Sequence, residues 1–153
     1  MIEERIRELG LDLPEAAKPS FIYVPVVVHN GVAYISGQLP KVNGEVKITG
    51  KVGADVSIED ARESARICIL QALSCLKQEI GSLDLVERII KVTGFVNSAN
   101  GFNQQPKVID AASELIEQIF GENGRHARSA VGASELPRST PVEIEMIVAV
   151  KTD

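Results

Sequence analysis

The chain has 153 residues, which fits one compact domain large enough for a real core. Hydrophobic residues make up 44% and charged residues 24%, an ordinary globular balance. The net charge of −5 argues against broad electrostatic capture of nucleic acid, which depends on many Lys and Arg contacts to phosphates, but it leaves room for a small basic pocket.

In chain order, Ile2, Ile6 and Leu9 recur at helical spacing and predict a short amphipathic helix over residues 2–9, ended by Gly10 and Pro14. Residues 11–20 form a connector with Pro14 and Pro19. Residues 21–28 are β-branched and aromatic and predict a strand, which Pro25 makes an edge or a bulged strand. His29-Asn30-Gly31 is a turn suited to positive φ, and residues 32–35 are the partner strand of a hairpin. Ser36-Gly37-Gln38-Leu39-Pro40 follows. Asn43-Gly44 marks another turn, with a short β segment around 45–49.

Ser57 is an N-cap with Glu59 and Asp60 behind it in the first turn. Ala61, Ala65, Cys68, Ala72, Leu76 and Ile80 give an apolar stripe at steps of three and four, so residues 58–80 are the first long helix, closed by Gly81. Residues 89–96 predict a strand and 97–106 a polar loop. Pro106 opens the second long helix, whose apolar face is Val108, Ala111, Ala112, Leu115, Ile116 and Ile119. Residues 128–133 and 142–150 predict two more strands. In the last, Val142, Ile144, Met146, Val148 and Val150 should face the helices, while Glu143, Glu145, Ile147 and Ala149 form a mixed second face.

The whole chain therefore reads as a single domain, 1–153, of α+β class. Two long helices cover only one face of such a sheet. Ile147, Ala149, Ile89 and Phe95 leave apolar surface on the other, and a symmetric oligomer would cover it. Cys68 and Cys75 lie seven residues apart on one helix, about two turns, too far for a disulfide, and read as buried small hydrophobes. With two histidines only, His29 and His126, no Cys and His cluster has zinc spacing, and neither a metal nor an organic cofactor is implied. The first residues are charged and lack an apolar signal core, and no apolar run is long enough to span a bilayer. The expected location is the cytoplasm, with no membrane partner.

The stretch Gly124-Arg125-His126-Ala127-Arg128-Ser129-Ala130-Val131-Gly132 sets two cations and a His among small residues just before the final strands. Arg128 offers a planar fork that suits a carboxylate or phosphate. Glu143 on a neighbouring strand could do proton work beside it. The residues alone leave open a second reading, in which Arg128 pairs with Glu143 or Glu145 inside an interface. Arg125 reads as a surface or interface cation and His126 as a histidine contacting backbone.

These residues resemble a known family. Ser36-Gly37-Gln38 after the hairpin, Phe95-Val96 before the polar loop, Ala127-Arg128-Ser129, Leu136-Pro137 and Val142-Glu143-Ile144-Glu145 are similar, in order and spacing, to the Rid (RidA/YjgF) superfamily, also called endoribonuclease L-PSP. The resemblance spans residues 23–150. It implies a chorismate-mutase-like fold, a mixed six-stranded sheet backed by two long helices on one face, assembled as a homotrimer with a ligand site in each intersubunit cleft. In that family an Arg grips the substrate carboxylate and matches Arg128. A Glu fifteen residues on handles a proton or water and matches Glu143. A Tyr matching Tyr23 lines the cleft, and Ser36 and Gly37 match its wall.

The resemblance implies an enamine/imine deaminase-like hydrolase that releases a 2-oxo acid and ammonia from small amino-acid-derived intermediates, as a 2-iminobutanoate/2-iminopropanoate deaminase does. The alternatives are a regulatory module binding a small carboxylate-bearing metabolite, and an endoribonuclease or translation inhibitor. The acidic charge and the 4% aromatic content weigh against nucleic acid as the partner. Where the best-studied deaminases read Pro-Ala-Arg-Ser-Cys, this chain has His126-Ala127-Arg128-Ser129-Ala130, and an Asn they carry falls near Pro106. Those departures suggest a separate branch, with His126 as a residue peculiar to it.

Overall fold

The computed structural model describes residues 1–16, 18 and 21–152, so Pro19 of the connector lies outside the described residues. Asn30 and Gly31 take φ of 51° and 76°, the backbone that a two-residue hairpin turn requires. That turn joins β1 (Val26–His29) to β2 (Val32–Gln38). The first strand starts five residues later than its composition predicts. Pro25 has no N–H to give a ladder, although its carbonyl still accepts from the Ser36 N–H at 2.9 Å, and Phe21 and Ile22 before it are 79% and 86% exposed.

Lys41–Val42 (β3) and Glu45–Val46 (β4) pair with each other around Asn43 (φ 54°) and Gly44 (φ 80°). The segment expected near 45–49 is thus half of a separate hairpin. It does not join the main sheet, which among the described residues has five strands and not six. The other three are β5 (Val86–Asn97), β6 (Ala127–Ala133) and β7 (Val142–Val150). The order is β1-β2-β7-β5-β6, with β5 and β6 parallel and every other pair antiparallel.

The helices are α1 (Ile2–Glu8), α2 (Ile58–Ile80) and α3 (Gln105–Phe120). The Ser57 Oγ accepts from the Asp60 N–H at 3.1 Å and so caps α2, while Gly81 at φ 93° closes it. The long helices lie against one face of the sheet, where Val142, Ile144, Met146, Val148 and Val150 are buried together with Ala61, Ala65, Ala72 and Leu76. Cys68 and Cys75 are buried in the same core. The Cys68 Sγ lies 3.7 Å from the Val142 carbonyl, and burial holds its thiol well above the ordinary range, so it packs as a neutral group.

Among the described residues, no element of the chain covers the opposite face. A row across it runs Val27, Tyr34, Ile147 and Lys91, and Val27, Tyr34 and Val131 are 51%, 49% and 43% exposed. Ile89, expected on this face, is instead buried in the core beside its register partner Val148, and an irregularity between Ile89 and Lys91 breaks the simple alternation of β5. No helix among the described residues is long and apolar enough to cross a membrane.

One contact decides how α3 sits. A Cβ on Gly94 would lie 2.5 Å from the Ile109 Cδ1, so the missing side chain lets the helix rest directly on β5. Gly94→Ala is expected to lower stability by about 1–3 kcal/mol through overpacking. Denaturant unfolding that leaves the midpoint in place would show that Ile109 simply turns aside.

Candidate functional site

Ser36 and Gly37 sit where β2 breaks register with β7, between Ile35 and Gln38. Such a bulge re-aims side chains and frees backbone from its ladder. Gln38, 5% exposed, is fixed beneath it: its Nε2 donates to the Ser36 carbonyl at 3.2 Å and the Ser36 Oγ at 3.4 Å, and its Oε1 accepts from the Cys75 thiol at 3.6 Å. These bonds occupy Ser36 as an acceptor and leave its hydroxyl hydrogen for another partner.

Glu143 is the second residue of β7. It pairs with Phe95 in register and points away from the helices. Its carboxylate lies on the glycine of the bulge, since a Cβ built on Gly37 would fall 2.1 Å from the Oε2 and 3.0 Å from the carboxyl carbon. Burial, with the like charge of Glu145 second, raises the carboxyl above the ordinary carboxylate range. Around it is a cavity of about 240 Å³ that also takes in Tyr23, Ser36, Lys18, Lys41 and Arg138. Four of the residues singled out from sequence, Tyr23, Ser36, Gly37 and Glu143, are therefore in one place. Tyr23 enters it from the segment before β1 and is 53% exposed.

Gly37→Ala is expected to expel the Glu143 carboxylate from its seat. The Glu143 carboxyl should then titrate closer to an ordinary glutamate, because the seat supplies much of its burial. Carbon-detected NMR of the carboxyl across pH would show the change, and an unaltered titration would mean that Gly37 serves backbone geometry alone.

Arg128 lies elsewhere. Its register partner on β5 is the fully buried Val92, which places Arg128 on the helix face of the sheet, opposite to Glu143. There its Nη1 donates to the Asp110 Oδ1 at 2.8 Å and the Ser113 Oγ at 3.3 Å, both on α3. His126 completes the group. Because the Gly124 carbonyl can only accept, at 2.6 Å, the His126 Nδ1 carries hydrogen, and the Nε2 shares a hydrogen bond of 2.9 Å with the Ser113 hydroxyl, accepting it in the neutral ring. An open cavity of about 470 Å³ spreads over these residues and Glu114, Glu117 and Arg125. Within one chain Arg128 and Glu143 do not share a cleft, and the carboxylate beside Arg128 is that of Asp110. His126 does contact backbone, as its surroundings suggested, and it contacts Ser113 as well. Arg125 is a surface cation 3.6 Å from Glu122.

Sequence reasoning missed Lys41, Arg138, Asp110 and Ser113. Lys41 had a signal, since it follows Ser36-Gly37-Gln38-Leu39-Pro40 directly in the chain. Arg138 had none, because its position depends on a left-handed backbone, φ 56°, at a residue type that rarely adopts it. Asp110 and Ser113 share a helix face at spacing three, and only the crossing of α3 over β6 brings that face to Arg128. No group of three or more His, Cys, Asp or Glu is placed to hold a metal ion among the described residues.

Residues 3–146 match the family described as "YjgF/chorismate mutase-like, putative endoribonuclease". The chain is 40% identical over 148 residues to protein TCP17 of Trypanosoma cruzi, covering 96% of this chain and 92% of that one. It superposes with a TM-score of 0.92 and 43% identity on a crystallised protein of unknown function from Agrobacterium tumefaciens, covering 98% of this chain and 92% of the other. It is also 29% identical over 143 residues to a 2-iminobutanoate/2-iminopropanoate deaminase of Dermatophagoides farinae, over 92% of this chain and 95% of that protein.

Proposed function

We propose, on the premise that the chain belongs to the YjgF/chorismate mutase-like family, that it is an enamine/imine hydrolase acting on small 2-amino-acid-derived intermediates. The observation that carries the reading is Glu143, a half-buried carboxyl raised above its ordinary range and seated on Gly37 beside the Ser36 hydroxyl. A carboxyl raised by burial holds its proton to higher pH than a surface glutamate and is the better placed to pass one to a bound substrate. Protonated Glu143 would give its proton to the β-carbon of an enamine and leave an iminium. The carboxylate would then take a proton from the water that adds to the imine carbon. Collapse of the carbinolamine expels ammonia, so that enamine and water become 2-oxo acid and ammonia. The deaminase named among the relatives supports this class of substrate.

The carboxylate of such a substrate needs a cationic grip. Arg128 is the residue the family resemblance assigns to it, yet it stands on the other face of its own sheet. We therefore propose a homotrimer in which Arg128 of one protomer reaches the Glu143 cavity of the next. The exposed apolar row through Val27 and Tyr34 is surface that such assembly would cover. Light scattering should give three chains per particle at micromolar concentration, and a stable monomer would remove the basis for a shared site.

The assay is 2-oxo acid release from an enamine generated in place by a dehydratase, measured above the spontaneous rate. Binding of a 2-oxo acid without such release would make the protein a carboxylate-binding module instead. For an endoribonuclease the two histidines offer no acid–base pair within one chain: His29 is at the β1 hairpin beside Asn30, and His126 is engaged by Ser113.

A further inference from the structure

The cavity around Glu143 holds more positive charge than one carboxylate requires. Lys18, Lys41 and Arg138 line it against the single acid Glu143, in a chain whose net charge is −5. Neither the Lys41 ammonium nor the Arg138 guanidinium has an ion pair among the described residues. Nearby Lys51 is the contrast, since its ammonium is fully engaged by Asn97, the Ser134 carbonyl and Glu135.

Both free cations stand on braced backbone. Arg138 and Ser139 are consecutive non-glycine residues at φ 56° and 55°. They are held there by three hydrogen bonds: the Ser139 carbonyl accepts from the Gly50 N–H at 2.8 Å, the Ser139 N–H donates to the Leu136 carbonyl at 3.2 Å, and the Thr140 N–H donates to the Pro137 carbonyl at 3.1 Å. Backbone forced into a sparsely populated region persists where surrounding structure over-determines it, and such places cluster at ligand sites. On the other wall, the buried Gln71 donates to the Lys41 carbonyl at 3.0 Å, and the Lys41 N–H is tied to the Leu39 carbonyl at 2.8 Å. Partial burial and the like charge of Arg138 both lower the affinity of the Lys41 amine for its proton, so the two cations are close enough to repel. An anion set between them would relieve that repulsion.

We infer that the ligand of this cavity carries a second carboxylate besides the one at its reacting end, and that Lys41 and Arg138 hold it. The cavity of about 240 Å³ lies below the range of drug-sized ligands and suits a short dicarboxylic chain. The inference deepens the enamine/imine reading above and rests on it for the reacting end alone.

The test is calorimetric binding of 2-oxoglutarate and of 2-oxobutanoate to the intact protein. Wild type should prefer the dicarboxylate by about tenfold or more, the scale of one charge-assisted contact. Lys41→Gln combined with Arg138→Gln should bring the two affinities within about twofold by weakening 2-oxoglutarate alone. Circular dichroism would confirm that the double variant is folded. The inference is overturned if wild type binds the two probes equally, if the preference survives in the double variant, or if neither probe binds. Absence of enamine turnover with the preference intact would sink the hydrolase reading and leave this one standing.

Discussion

Glu143→Gln should lose turnover by roughly a hundredfold or more, the usual size of a general acid–base contribution, while binding of a 2-oxo acid stays nearly intact. A glutamine keeps the shape and most of the hydrogen bonding of the glutamate but cannot pass a proton. The same change should raise thermal stability at neutral pH. Burial holds the Glu143 carboxyl above the ordinary glutamate range, so the folded chain binds that proton more tightly than the unfolded chain. Stability therefore falls as pH rises from the ordinary glutamate range through the raised folded value. The amide of the variant carries no such penalty because it never ionises. Melting curves should show the variant above wild type at pH 7, with the gap closing below the ordinary carboxylate range. A variant with unchanged turnover would remove Glu143 from the chemistry, and one less stable at pH 7 than at pH 4 relative to wild type would reverse the sign of the linkage.

Arg128→Lys should also be inactive, although the charge remains. A lysine cannot reproduce the planar two-point grip on a carboxylate. Where that grip is desolvated its loss should cost about 2–5 kcal/mol of ligand binding. The informative experiment mixes the two dead proteins. If each site takes Arg128 from one protomer and Glu143 from the next, unfolding and refolding equal amounts of Arg128→Lys and Glu143→Gln creates hybrid trimers. About a quarter of all sites in the mixture, one in each hybrid trimer, would then hold both intact residues, as random placement around a head-to-tail ring requires. Activity near that fraction would locate the site between protomers. No recovery, with hybrid trimers verified by mass, would mean that the two residues do not act together. Asp110→Asn serves as the companion variant. It removes the carboxylate 2.8 Å from the Arg128 Nη1 without touching Glu143, so a matching loss of binding would show that the guanidinium depends on being held in place.

The local elements of this protein were decided by its sequence. The Ser57 cap, the stripe from Ala61 to Ile80 and the Gly81 stop fix α2 to the residue, because each is a short-range rule obeyed by neighbouring side chains. The alternation of β7 told which face meets the helices, because side chains in a strand have a period of two. The family resemblance marked Tyr23, Ser36, Gly37 and Glu143, and the fold gathers them into one cavity. What local rules could not decide was everything set by how distant segments meet. The hairpin around Asn43-Gly44 stays outside the main sheet, and periodicity does not say which neighbour a strand will choose. Arg138 enters the cavity through a left-handed backbone that the Gly50 N–H, from a distant part of the chain, holds by way of the Ser139 carbonyl. Arg128 and Glu143 belong to strands separated by β5, and parity along each strand puts them on opposite faces. Their relation is a property of the sheet, since a side chain's face is fixed only when register is fixed, and register is a tertiary fact.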